Sequence, residues 1–309
     1  MADYLTFSYS DNLPSRIKER IPEFLKIKES RNPELLLILR LLSGNVILTH
    51  NYSDTIIKSR KNYFHSDLSR FRNWGRDFPR LLSEDTTAED LAIFINNTKF
   101  TNNKFYEAIL SEISHFLLQE RKASHTSAFI FLYRILEKVS YAFPLIYASK
   151  TQDFMRSFNQ LRNLMTGDSE KKELGFFKKF AVTLYEGDSI AQTSVDIKFD
   201  VANDLVRQQM FRSVKEAIDL GILHEDTTEF EKISINYCDM GSFIIHIRNR
   251  FFHNQSIVPN NIKSNRIVDS DTFFSFINPV AMYWLSLVLL QIMSFSLSEF
   301  QLHRRNAVV

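Results

Sequence analysis

Arg248, Asn249 and His253 are the residues of this chain whose types and spacing best suit chemistry. They lie in the stretch Ile244-Ile245-His246-Ile247-Arg248-Asn249-Arg250-Phe251-Phe252-His253-Asn254. At about 100° per residue, a helix gathers Ile244, Ile245, Ile247, Phe251 and Phe252 on one broad face and sets Arg248 in its middle. A guanidinium there needs a carboxylate, a partner subunit or an anionic ligand. Asn249 and His253 are four apart and stack on another side. Arginine can fork onto a phosphate and hold the charge that builds in a transition state. Histidine moves a proton near neutral pH. In RNA the neighbouring 2′-hydroxyl supplies the nucleophile, so such a pair does not strictly require a metal. Asn249 would orient the imidazole or the ribose. Arg248 and His253 are about 140° apart on an ideal helix. A single site therefore needs arginine to reach around, an irregular helix end, or two subunits.

Arginine, four to six spacers and histidine, with a polar residue directly after the arginine, resembles the hallmark of the HEPN superfamily of helical ribonucleases. Asparagine follows Arg31, Arg72, Arg162, Arg248 and Arg305, and of these only Arg248 has the histidine at that distance. The stretch Phe129 to Glu137 looks like the first core helix of such domains, and a long apolar helix follows the motif. The resemblance covers about Ser124 to His303 and leaves residues 1–120 outside. It implies a homodimer in which the two motif helices meet in a cleft. It implies RNA as substrate, cleaved without metal or cofactor to a 2′,3′-cyclic phosphate and a 5′-hydroxyl. It also implies a toxin or a phage-defence effector of the abortive-infection kind, with a regulatory or antitoxin protein as a further partner. One subgroup carries a tyrosine two residues after the histidine as an AMP acceptor. Here that residue is Gln255, so this control does not transfer.

Other residues offer weaker chemistry. Glu137 either supports Arg248 or His253, or pairs with Arg134 or Lys138, or faces water. Arg60 and His65 repeat the spacing without the asparagine, in a stretch that also holds Arg72 and Trp74. That mixture suits phosphate contact and base stacking, and equally a solvated helix with a few core aromatics. The Lys171-Lys172 and Lys178-Lys179 pairs read as exposed faces. His224-Glu225-Asp226 is a polar turn, and the histidines form no metal set. Cys238 reads as a buried thiol.

The elements that must position these residues are helices. Only 7 glycines and 7 prolines interrupt 309 residues, and 28 are phenylalanine. Few breakers and long apolar runs exclude a glycine-rich dinucleotide fold, a turn-rich sandwich and a disordered chain. A net charge of +2 excludes a polyanion-binding surface over the whole chain. A single cysteine excludes an internal disulfide and suits a reducing cytosol. The expected fold is all-α, a helical bundle with a helical N-terminal region, 1–120, and a HEPN-like domain, 121–309. Helices are expected over Pro14–Lys28, Glu34–Leu42 with Gly44 ending it, Ser53 or Asp54 to Arg70, from Thr86-Thr87-Ala88-Glu89 onward, Asn103–Gln119, Ser124–Tyr147, Thr151–Met165, Lys171–Tyr185, Asp204–Leu220, Asp239–Asn254 and Phe273–His303. Ser194–Phe199 alternates like a strand, yet one short strand cannot stand alone.

Thr272–Ser298 carries no formal charge and is long enough to span hydrocarbon. Its Asn278, Pro279, Gln291 and serines are costly in lipid and easy in a core, so a buried helix is expected and a membrane is not an expected partner. Met1–Ser10 lacks a basic start and an apolar run, so a secretory leader is not expected. The expected place is the cytoplasm. The rival readings are a noncatalytic helical module that binds RNA or protein, and a membrane effector anchored by its tail.

Overall fold

The computed structural model describes residues 5–29, 32–58, 60–68, 78–150, 153–166, 181, 185, 189–252 and 261–306. The chain divides into two compact units. One comprises Met1–Ala123 with Leu285–Val309, the other Ser124–Trp284. The fold is mostly helical, with two small antiparallel sheets that correct the all-α expectation.

In the first unit the sheet orders β1 (Phe7–Asp11), β2 (Val46–His50) and β3 (Thr55–Lys58) side by side. Phe7 pairs with His50 and Asp11 with Val46; on the other edge Ile47 pairs with Lys58 and His50 with Thr55. The helix expected from Ser53 or Asp54 is therefore a hairpin and a strand. Thr55-Ile56-Ile57 is β-branched throughout, which favours pleated backbone. Asp54 turns the chain with a φ of 49°. The helix expected over Pro14–Lys28 shrinks to α1 (Ser15–Lys18) and a 3-10 turn at Glu23–Leu25. Pro22 explains the loss, because it has no N–H to donate and drives Ile21 out of helical backbone.

The helix α2 (Glu34–Leu42) starts after Pro33, and every residue from Leu35 to Leu42 is buried. That includes Arg40, whose Nη2 meets Asp11 Oδ1 at 2.6 Å and whose Nη1 donates to the Leu25 carbonyl at 3.0 Å. Burial pushes the Arg40 guanidinium down, and Asp11 opposes it. A paired C-terminal cap ends α2, with Gly44 N–H donating to Leu41 and Asn45 N–H to Arg40. Gly44 has a φ of 72°, and a Cβ there would meet the Lys61 carbonyl oxygen at 2.7 Å. Thr87 caps α3 (Ala88–Thr98) in a reciprocal box with Asp90, one residue later than the pattern starting at Thr86. The helix α4 (Asn103–Arg121) packs against α2, and its Ile109, Ile113 and Phe116 are fully buried.

In the second unit the single helix expected over Ser124–Tyr147 is two, α5 (His125–Ser140) and α6 (Ala142–Lys150). Pro144 cannot donate to the Ser140 carbonyl, so an unbroken helix would lose that bond. In the first turn of a new helix the missing donor costs nothing. Then come α7 (Phe154–Thr166), β4 (Ser194–Lys198), α8 (Asp204–Ala217), β5 (Lys232–Asn236) and α9 (Met240–Phe252). The lone strand has its partner, since β4 pairs with β5 from Ser194↔Asn236 to Lys198↔Lys232. The last helix, α10 (Ser270–Asn306), begins in this unit and runs on into the segment assigned to the first. It is long and apolar enough to cross a membrane, and 61% of its most apolar window is buried.

Candidate functional site

The site begins with β5. Ile233 and Ile235 are buried, and Asp196 of β4 accepts from the Ser234 hydroxyl at 2.6 Å and pairs with Lys232 at 3.0 Å. Burial pushes the Asp196 carboxyl up, but the bonds from Ser234 and Lys232 outweigh it and hold it below its ordinary value. From Asn236 the chain makes one 3-10 turn, Tyr237–Asp239, and enters α9 at Met240. Trp284 Nε1 donates to the Tyr237 carbonyl at 3.0 Å, which ties this turn to α10. The Tyr237 ring is buried edge-on to Tyr185, and burial drives its hydroxyl far above the usual range. The start of α9 is thus held from two sides.

Five phenylalanines hold its other end. Phe252 lies parallel to Phe129 of α5 with centroids 6.2 Å apart, and Phe251 meets Phe274 of α10 edge-on at 4.8 Å. Phe273 and Phe129 each touch that pair as well. At the start of α5, Asp271 accepts from the Thr126 N–H at 2.7 Å and the Asn278 amide donates to the His125 carbonyl at 2.8 Å. These contacts lock α5, α9 and the first turns of α10 together within the unit.

Arg248 sits between these anchors and is half-buried. Its Nη1 donates to Asn249 Oδ1 at 2.9 Å. Its guanidinium carbon lies 4.9 Å from the centre of the Tyr133 ring, within the range of a cation–π contact. Among the described residues no carboxylate stands within ion-pair distance of it. Glu137 is therefore not its counter-ion, although it lies on α5 one turn beyond Tyr133, half-buried, with its carbonyl accepting from Ser140. Asn249, expected to orient the imidazole or ribose, here holds the arginine.

Tyr133 is the residue that the sequence reading missed. In the sequence it is one residue of the stretch Phe129 to Glu137 that looks like a first core helix. No local spacing links it to Arg248, because the two meet only when α5 and α9 pair.

The remaining candidates divide. His253, Arg72, Trp74 and the four lysines from Lys171 to Lys179 lie outside the described residues. Arg60 and His65 belong to the first unit and are exposed on a loop after β3, with His65 Nδ1 against Asp67 at 2.6 Å. That loop is shaped by Asn62, whose side chain accepts from the Phe64 N–H. His224 and Asp226 approach to 3.3 Å within one turn. Among the described residues no three His, Cys, Asp or Glu side chains group as metal ligands. Cys238 is a buried free thiol. In comparison with known proteins, the chain matches no family model, no curated protein and no solved structure.

Proposed function

We propose that this protein is a metal-independent endoribonuclease acting in a toxin or phage-defence system, with Arg248, Asn249 and His253 at its active site. The observation that carries this reading is Arg248: half-buried, held by Asn249 and Tyr133, and without a carboxylate partner among the described residues. A cation kept in place but not neutralised is prepared for an anion, and a phosphodiester fits its planar fork. The similarity of the Arg–Asn–His spacing to HEPN ribonucleases supplies the reaction. A base takes the proton from the 2′-hydroxyl, and the 2′-oxygen bonds to phosphorus. The bond from phosphorus to the 5′-oxygen breaks, and an acid protonates the leaving oxygen. The products are a 2′,3′-cyclic phosphate and a 5′-hydroxyl. Arg248 steadies the extra negative charge on the phosphoryl oxygens, and His253 carries a proton.

The test is cleavage of RNA in EDTA by the wild type, Arg248→Ala and His253→Ala. Loss in both variants, with cyclic phosphate ends in the wild-type digest, supports the site. Unchanged cleavage in both removes it. The length and composition of α10 also favour a second reading, an effector attached to a membrane. Recovery of the protein from lysate only with detergent would favour that reading.

A further inference from the structure

The contact between Arg248 and Tyr133 is one layer of a register between two helices. Phe129 and Tyr133 are four residues apart on α5, and Arg248 and Phe252 are four apart on α9, so each pair spans about one turn. Phe129 lies against Phe252, and Tyr133 lies against Arg248. As α5 advances, α9 recedes, so the helices run antiparallel here and place a ring beneath each residue of the pair. The Phe129–Phe252 layer is tied to Phe274 as well. It fixes the height at which the tyrosine meets the guanidinium.

We infer that Tyr133 is a positioning residue for Arg248: its ring holds one face of the guanidinium so that the edge N–H groups point toward a phosphodiester. This rests on the ribonuclease reading above. The long arginine side chain is otherwise free to rotate about several bonds, and Asn249 restrains it through Nη1 alone. A ring face restrains the plane without consuming any N–H donor, so the fork stays available to the ligand. A carboxylate would also hold the plane, but it would neutralise the charge and occupy those donors.

The test compares Tyr133→Phe and Tyr133→Leu with the wild type. Phenylalanine keeps the ring, and kcat and KM should stay within about two-fold of wild type with the limbs of the pH profile unmoved. Leucine removes the π face, and kcat should fall on the order of 10-fold while KM moves less than about two-fold, since a loosely held arginine still meets the ground-state phosphate. A Tyr133→Leu enzyme as fast as wild type, beside an inactive Arg248→Ala enzyme, overturns the role of Tyr133 and leaves the ribonuclease reading standing. Cleavage that survives Arg248→Ala overturns both. A Tyr133→Phe enzyme that loses activity with a shifted pH limb assigns the work to the hydroxyl and overturns the proposal. Should Tyr133→Leu fail to fold, side-chain NMR of the wild type decides. The Arg248 Hε signal, identified by its absence in Arg248→Lys, should be shifted upfield by the ring current and remain so in Tyr133→Phe. A signal at the ordinary arginine position overturns the proposal.

Discussion

An arginine on an apolar helix face is costly unless something repays its desolvation, and Arg40 and Arg248 solve that differently. Arg40 meets Asp11 and two backbone carbonyls, which leaves it a structural cation with both terminal nitrogens engaged. Arg248 meets a tyrosine ring and one amide oxygen, which leaves donors over. This difference in partners, rather than depth, separates the structural arginine from the candidate site. It leads to a prediction for Arg248→Lys. An ammonium keeps the charge but lacks the flat fork, so cleavage of RNA should fall by roughly 10²-fold, close to the alanine variant. Single-turnover rates check this. A lysine enzyme near wild-type speed would mean that charge alone suffices.

At the scale of elements, the short sheet of the second unit matters because β5 feeds α9. Asp196 holds β5 by a hydroxyl and an ammonium, and its carboxyl is held below the ordinary carboxylate range. A lowered folded pKa stabilises the fold above the unfolded carboxylate value, about 4, and that contribution is lost as pH falls through the folded value. Asp269, which caps the start of α10 through the Thr272 N–H and hydroxyl, is lowered as well and acts in the same direction. The melting temperature should therefore drop from pH 5 toward pH 3, and Asp196→Asn should flatten part of that drop. Asp269 is largely solvated and Asp196 is partly exposed, which keeps the effect modest. In the first unit Gly44→Ala should destabilise by roughly 1–3 kcal/mol, because alanine resists a positive φ and its methyl would meet the Lys61 carbonyl. Thermal or urea unfolding checks it, and a neutral result would show that the loop from Arg60 gives way.

For the whole molecule, the resemblance to HEPN ribonucleases predicts a homodimer. Sedimentation at micromolar concentration should give about twice 36.3 kDa, and a strictly monomeric mass would count against it. The separation of Arg248 and His253 around an ideal helix makes that mass informative. Two subunits are one of the ways in which the arginine of one helix and a histidine can share a phosphate.

Much of the architecture was legible in the sequence by itself. Pro33 and Gly44 bracket α2, the 3.6-residue periodicity marks α4 and α9, and alternation marks β4. The position of Arg248 within an apolar stripe is equally a property of the sequence. Each of these is a short-range pattern, decided by which backbone a few neighbouring residues can adopt. What the tertiary structure decided is long-range. The β-branched residues around Thr55 are held as a strand because β2 lies beside them, and β4 persists because β5, whose Ile233 and Ile235 alternate with polar residues in the same way, supplies its hydrogen bonds. Tyr133 lies under Arg248 because five phenylalanines set the register of α5 against α9. The choice between a neutralised arginine and an available one depends on which side chains from distant elements arrive beside it. No spacing within the motif contains that information.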